Sequence, residues 1–423
     1  MSLPTSAQRT PFSARAVSAM REANWLRRER AIRWSAALLI EQVLLFAYLV
    51  LQAHGIIGRG QSPFVLDYPS FYGAGTLVLA GTPELAYDKA AHWHAEQMAA
   101  GADTPYNYFF YPPPFLLLCA AMACLPYKVS FLLFEATTLA LYVLVVRRIA
   151  SVGGWGWCVV AIAFPAVFWT IGLGQNAFLT AAVFGAGTLL LDGQPLRSGA
   201  LLGLLCYKPH FGLLLPVALA AGGRWRAFIG AGISLVIVVA GSLTLFGVGT
   251  WRVYLQAFAA SGDVYTSGKI MLAGYVTTFG AARLITLSSD TAIALQIATG
   301  VSSGVVVAWI WYREASLSVR SAALIAGTLL SVPVALVYDL LLISVCIAWL
   351  VRHARKSGFL AWEKLLLALL YLISLISLFV GVALQVPIGP LAPAIVLMLC
   401  VRHAVRETSA PASLGSTSLS PIC

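Results

Sequence analysis

Charge is scarce in this chain. Asp, Glu, Lys and Arg make up 10% of its 423 residues, 60% are apolar, and the mean hydropathy is +0.86. Soluble domains carry roughly 25% charged residues, so the composition excludes an ordinary soluble protein and predicts a polytopic membrane protein. Alternation is also missing from the long apolar runs, which argues against a membrane barrel. No CxxC pair occurs; six of the seven Cys (119, 124, 158, 206, 346 and 400) lie in apolar runs and Cys423 ends the sequence. That removes a disulfide framework and a zinc pattern. The first apolar run is long enough to span and has no clear small-x-small cleavage site, so no cleavable signal peptide is expected. The net charge of +11 is no sign of nucleic acid. The bases fall in short clusters between apolar runs, as they do in cytoplasmic loops.

Against this background one long polar stretch stands out, Asp67 to Pro114. It holds five acids (Asp67, Glu84, Asp88, Glu96, Asp103) against Lys89, is rich in Tyr and has no Cys. The first 33 residues hold seven Arg against Glu22 and Glu29. The positive-inside rule puts this tail in the cytoplasm and the acidic loop on the other side of a cell (inner) membrane. The expected organisation is a basic tail over 1–33, a single membrane domain over 34–404 with 54–114 as its extracytoplasmic loop, and a Ser/Thr/Pro-rich disordered tail over 405–423.

Within the loop, Asp67 can cap a helix over about 68–80 with Pro69 in its first turn, and Gly81 stops it. Thr82-Pro83-Glu84 reads as the start of a second helix reaching about Ala100. Both are expected to be amphipathic and to lie on the outer surface. Asp88, His92 and Glu96 share a face of that second helix; the spacing fits a metal site but more readily a solvated face. Elsewhere the pattern predicts an all-α membrane fold with roughly 10 to 13 transmembrane or re-entrant segments. The first is Trp34 to about Ala53. Residues 115–146 are broken at Leu125-Pro126-Tyr127 and read as two short spans or one broken one. Later segments fall at about 155–171, 177–191, 198–221, 227–246, 270–287, 290–312, 321–350, 363–385 and 388–404. Residues 247–269 read as an interfacial helix anchored by Trp251 and Tyr254.

Four polar interruptions break apolar runs: Asp67-Tyr68, Gly174-Gln175-Asn176, Tyr207-Lys208-Pro209-His210 and Tyr338-Asp339. Ionisable groups at membrane depth are costly and usually line a functional cavity, and a helix break there is tolerated where protein or water covers it. Together they describe a polar cavity beside the acidic loop. The plainer alternatives are a helix cap for Asp67, a snorkelling lysine for Lys208, an ordinary turn for Gln175-Asn176, and a structural partner of Lys208 for Asp339.

These breaks, in this order, resemble glycosyltransferase family 87 of the GT-C superfamily. The matching pieces are DYPSFYGAG from Asp67, LAGTPELAYD from Leu79, YFFYPPPF from Tyr108, Phe164-Pro165 with GLGQN from Gly172, GLLCYKPHFGLLLP from Gly203, FGVGTW from Phe246 and PVALVYDLLL from Pro333. They cover roughly residues 60–350 of the chain. One departure is His210, where many relatives carry Gln. The resemblance implies an integral membrane enzyme that transfers a sugar, often mannose, from a polyprenyl-phosphate carrier on the extracytoplasmic face. It implies Asp67 as the general base. Lys208 is the best cation for the phosphate leaving group. Tyr72, Tyr111, Gln175, Asn176, His210, Tyr338 and Asp339 are further substrate-binding candidates. No DxD motif is present, so no essential metal and no cofactor are expected. The implied partners are membrane lipids, the polyprenyl-phosphate-linked sugar and a glycan or glycolipid acceptor, with no nucleic acid. The competing readings are a transporter or flippase of lipid-linked sugars and a non-catalytic member of a polysaccharide assembly complex.

Overall fold

The structure is a computed structural model that describes residues 12–52, 67–267 and 269–409. The start of the polar loop, the first part of the basic tail and most of the C-terminal tail lie outside the described residues. Within the described residues the regular structure is helical: eighteen α-helices, short 3-10 turns and no strand. They are α1 (Phe12–Glu22), α2 (Arg28–Gln52), α3 (Tyr68–Leu79), α4 (Lys89–Ala100), α5 (Pro114–Ala123), α6 (Tyr127–Ala150), α7 (Gly156–Ile162), α8 (Pro165–Leu173), α9 (Ala177–Leu190) and α10 (Pro195–Gly203), then α11 (Leu215–Ala221), α12 (Trp225–Thr266), α13 (Thr278–Leu284), α14 (Ser289–Tyr312), α15 (Leu317–Ser331), α16 (Leu341–Ser357), α17 (Glu363–Leu384) and α18 (Leu391–Ser409). Six elements are long and apolar enough to cross a membrane: α2, α6, α12, α14, α16 with its preceding turn, and α17. Helices α7 and α8, bent by 57°, make one further broken span. The chain is an all-α multi-pass membrane protein.

Long-range hydrogen bonds fix which helix ends lie together. The Arg28 guanidinium donates to the Gly153 carbonyl at 2.7 Å, and Arg355 donates to the Ser151 carbonyl at 2.7 Å. The starts of α2 and α7 and the ends of α6 and α16 therefore share one face, the face that gathers Arg147, Arg148, Arg352 and Arg355. At the opposite face the Asp67 amide donates to the Leu173 carbonyl at 2.9 Å. The polar loop is thereby tied to the end of α8.

The loop is packed, not floating. A Cβ on Gly75 of α3 would run into the Cys119 carbonyl of α5, so only glycine permits this approach. At ten residues α5 is too short to cross. It lies under α3, and α6 alone carries the chain down to Arg147-Arg148. Residues 115–146 are therefore neither two short spans nor one broken one, but a short helix followed by a single unbroken span.

Several boundaries differ from expectation for local reasons. Asp88, not Thr82, caps the second loop helix: its carboxylate accepts from the Ala90 and Ala91 amides at 3.1 and 2.9 Å, leaving Pro83–Tyr87 as a separate 3-10 turn. The expected span 321–350 is split between α15 and α16, because Val332 precedes Pro333 and is held extended (φ −79°, ψ 138°). The expected span 270–287 holds only the Leu272–Gly274 turn and α13. The segment after Gly247 continues α12 beyond a kink at that residue (φ 77°). Its Tyr254 is buried against Tyr87, with ring centroids 5.6 Å apart, so it packs instead of anchoring at an interface.

The expected span 198–221 does not cross at all. Asp192 precedes α10 and Arg224 follows α11, and the two pair at 3.1 Å. The intervening chain must therefore rise and return to one face, with Lys208 and Pro209 in its turn. Arg320 also reaches Asp192, at 3.3 Å, so one carboxylate clamps both feet of the hairpin to the start of α15.

Candidate functional site

Asp67 occupies the N-cap position of α3, yet its side chain makes no bond to the helix amides and its backbone is αR (φ −100°, ψ −22°). An N-cap residue ordinarily has extended geometry and accepts from N2 or N3. Here Oδ2 instead accepts from Gln175 Nε2 at 2.8 Å. The simple capping role is therefore not what this carboxylate performs. Burial pushes its pKa up to about 6 from 3.8, against the Gln175 hydrogen bond and the Lys208 charge, which both pull it down.

Gln175 belongs to the turn between α8 and α9, where Gly174 takes the left-handed conformation (φ 67°) that a side chain would disfavour. Its Oε1 faces the Tyr111 hydroxyl at 3.5 Å, long for a hydrogen bond. Asn176 beside it is fully buried at the start of α9 and makes no cap bond. Tyr111 is held from behind by the Tyr87 hydroxyl, which donates to its carbonyl at 3.0 Å, and by Phe115, stacked at 4.3 Å.

Lys208, in the hairpin turn, is 4% exposed, and its ammonium donates to Asp339 Oδ1 at 3.3 Å. The other Asp339 oxygen accepts from the Leu336 amide at 3.0 Å. Three rings surround the ammonium, those of Tyr338, Phe211 and Tyr111, with centroids at 5.3, 5.5 and 6.0 Å. Such cation–π contacts retain a charge where water is excluded. Tyr207 is anchored separately, its hydroxyl 2.6 Å from that of Thr180.

The fold thus gathers Asp67, Tyr111, Gln175, Asn176, Lys208, Tyr338 and Asp339, from five separated stretches of chain. His210 follows Lys208 on the hairpin, half-buried, with its ring 4.4 Å from that of Phe211. Tyr72 is not gathered in. Its hydroxyl donates to the Leu125 carbonyl at 2.9 Å, and its ring packs on Tyr127.

Of Asp88, His92 and Glu96, the face expected to be solvated, Asp88 is exposed but the other two are buried. His92 and Glu96 are both 0% exposed. The His92 Nε2 lies 3.0 Å from the Ser70 carbonyl, and Glu96 accepts from the Asn107 amide through both oxygens, at 3.3 and 3.0 Å. Burial pushes the Glu96 carboxyl up to about 8 and the His92 ring down to about 4. Both are therefore neutral near pH 7, and they bolt α4 to α3 and to the arm at 104–111. Among the described residues no cluster of three or more His, Cys, Asp or Glu is arranged to hold a metal ion. Sequence reasoning assigned no role to Phe211 and Phe115; both stand in the matching pieces YFFYPPPF and GLLCYKPHFGLLLP, the signal that could have found them.

A family model described as Glycosyltransferase family 87 matches residues 109–338, more than half of the chain. Tyr111, Gln175, Asn176, Lys208, His210 and Tyr338 fall inside the matched region, while Asp67 and Asp339 fall outside it. No curated protein and no solved structure matches the chain.

Proposed function

The chain belongs to glycosyltransferase family 87, and on that premise we propose that it moves a mannose-like hexose from a polyprenyl-phosphate carrier to a lipid or glycan acceptor, with inversion, on the extracytoplasmic face of the cell membrane. The single observation that carries this reading is the Asp67 carboxylate. It sits at a helix start without capping it and takes one side-chain hydrogen bond, from Gln175. Most of its acceptor capacity is left open.

The chemistry follows from that placement. The acceptor oxygen attacks the anomeric carbon as the bond from that carbon to the phosphate oxygen breaks. The electron pair leaves with the lipid phosphate, and the acceptor proton passes to Asp67. A carboxyl poised near 6 is largely ionised at neutral pH and is a stronger base than one at 3.8. Lys208 meets the leaving phosphate. Asp339 balances the ammonium in the free enzyme, and an ammonium has three donors, so a phosphate can join Asp339 on it. On this reading Tyr111, Tyr338, Gln175, Asn176 and His210 contact the sugar or the phosphate. This scheme draws on no metal or cofactor.

An apolar groove of about 630 Å³ between the hairpin and α14 supports the lipid carrier. Its walls include Leu213, Leu214, Val217, Ile297 and Val301. Leu213 lies five residues past Lys208 on the same hairpin, and on this reading a prenyl chain in the groove carries its phosphate toward the ammonium.

The test is direct. Purified protein in detergent, given polyprenyl-phosphate mannose and a glycolipid acceptor, is expected to release the glycoside without a second compartment, which a transporter would require. Transfer from a nucleotide sugar but from no lipid-phosphate hexose would overturn the donor. The orientation is checked separately. A single Cys at the exposed Ala102, in a Cys-free background, is expected to react with an impermeant thiol reagent in intact cells; labelling only after lysis would reverse the topology.

A further inference from the structure

The arm between α4 and α5 presents its aromatic residues in two directions. Phe109 is 2% exposed and points into the core, where its ring meets those of Tyr87, Tyr111 and Phe115. Tyr106, Tyr108 and Phe110 face the other way and stay half-exposed. They form a continuous ladder. The rings of Tyr106 and Tyr108 lie 4.9 Å apart, Tyr108 and Phe110 stack at 5.6 Å with planes 14° apart, and Phe110 meets Tyr265 of α12 at 5.5 Å. The Lys89 ammonium stands 5.5 Å from the Tyr106 ring centroid at the far end.

This ladder is held in place from beneath. Glu96 grips the Asn107 amide, Trp93 donates to the Thr104 carbonyl at 2.8 Å, and the Tyr87 hydroxyl holds the Tyr111 carbonyl. The rings are thus presented at little further entropic cost. The same arm ends at Tyr111, whose hydroxyl faces Gln175, the residue that holds Asp67. The last ring of the ladder, Phe110, thus directly precedes in the chain the residue that faces the partner of Asp67.

We infer that the ladder is a binding subsite for the carbohydrate part of the acceptor. Rigid aromatic faces suit sugar rings: the apolar C–H face of a pyranose covers the ring, while its hydroxyls reach the polar edge supplied here by the tyrosine hydroxyls of Tyr106 and Tyr108 and by Lys89. The inference rests on the glycosyltransferase reading and deepens it, because it makes the acceptor a glycan or a glycolipid with exposed sugars instead of a bare lipid alcohol. The residues that do chemistry remain those around Asp67; Tyr106, Tyr108 and Phe110 position the acceptor.

Tyr108 is the residue to change, since Phe110 also packs on Tyr265. Tyr108→Ala is expected to raise the KM for a glycolipid acceptor about tenfold, the scale of a lost aromatic anchor. The donor KM and the slow hydrolysis of donor by water should stay at parental values. Tyr108→Phe keeps the stacking face and is expected to restore most of the affinity. Independently of turnover, saturation-transfer NMR with free mannotetraose and maltotetraose should show contact with the parent protein and a weakened signal with Tyr108→Ala. Unchanged acceptor KM and unchanged oligosaccharide contact in that variant overturn the inference and assign the ladder to the aromatic belt at a bilayer surface. If the parent binds oligosaccharide through Tyr108 but transfers no sugar from any lipid-phosphate donor, the donor assignment fails and the subsite stands.

Discussion

At the face away from the polar loop, Glu363 accepts from the Leu360 amide at 2.6 Å and meets His403 at 2.8 Å, both side chains fully buried. Nearby Glu407 accepts from the Ser316 amide at 2.8 Å and stands 3.5 Å from His353, and Asp192 holds both Arg224 and Arg320. At the loop face, Asp67 has one side-chain bond from Gln175, and Lys208 has one from its ammonium, to Asp339. Both faces set buried or half-buried carboxylates beside nitrogen donors. What differs is how far their hydrogen-bonding capacity is used. A carboxylate with both oxygens occupied ties helices together; one with spare lone pairs beside a cavity is available to a substrate. Open acceptor capacity, more than burial, is what sets Asp67 apart from these carboxylates and supports the role proposed for it.

Breaking the loop face should cost activity and little fold. Asp67→Asn keeps the shape and the ability to sit at a helix start. It is expected to insert and purify normally while turnover falls on the order of 10²–10⁴-fold, the usual contribution of a positioned base. Parental turnover in a purified assay would move the base elsewhere, with Asp339 next to be tried.

Lys208 sharpens the contrast, because it is paired and is also proposed to meet the leaving phosphate. A charge-assisted bond to the leaving phosphate is worth about 1.5–3 kcal/mol, which is roughly 10- to 150-fold in rate if made mainly in the transition state. Lys208→Met also strands Asp339, and breaking a buried pair costs about 3–5 kcal/mol of stability. Adding Asp339→Asn removes the stranded charge and still leaves an acceptor for the Leu336 amide. The double variant is expected to regain the parental melting midpoint without regaining turnover. Recovery of turnover together with stability would make Lys208 purely structural.

Gln175 gives a smaller effect with a distinctive pH signature. Its bond lowers the Asp67 pKa, so Gln175→Leu should shift the acid limb of kcat/KM, expected near pH 6 in the parent, to higher pH. Turnover well above the limb should drop only about two- to tenfold, matching one hydrogen bond of 0.5–1.5 kcal/mol. The sign for stability runs the other way. The folded pKa of about 6 lies above the ordinary 3.8, so this group's stabilisation is full below 3.8 and is lost as pH rises through 6. With Asp67 as the proposed base, activity is expected only where it is ionised, the form that the fold favours less. An acid limb that stays fixed in the leucine variant would detach Gln175 from the base.

Glu363→Gln, at the opposite face, should leave turnover per folded molecule unchanged. It is expected to cost about 1–3 kcal/mol through the lost charged acceptor, read as a lower melting midpoint in detergent. A fall in kcat without a fall in stability would contradict the division between the two faces.

Much of this arrangement was legible in the sequence, and the failures share a cause. Scarce charge and long apolar runs gave the membrane fold, and the four polar interruptions marked the residues that the fold gathers. Proline and glycine signals placed the stop at Gly81 and the breaks at Pro126 and Pro209. What stayed hidden was set by packing between distant segments. Periodicity along α4 could not reveal that α3 and the 104–111 arm cover His92 and Glu96. A continuous apolar run from 198 to 221 looks the same whether it crosses or turns back, and only the Asp192–Arg224 contact decides. Whether Asp67 caps its helix was likewise open, because the competing partner, Gln175, lies 108 residues away.

The Lys208–Asp339 pair carries a consequence for biosynthesis. The two residues are 131 positions apart, and translation runs at about 5–20 residues per second. The ammonium therefore leaves the ribosome on the order of ten seconds before its counter-charge exists. During that interval the lysine lacks its hydrogen-bonded partner, and the hairpin is expected to rest with its tip in water or headgroups. Settling to its final depth waits for α16 to enter the bilayer. The contact between Lys208 and Asp339 is then among the last that the hairpin can make.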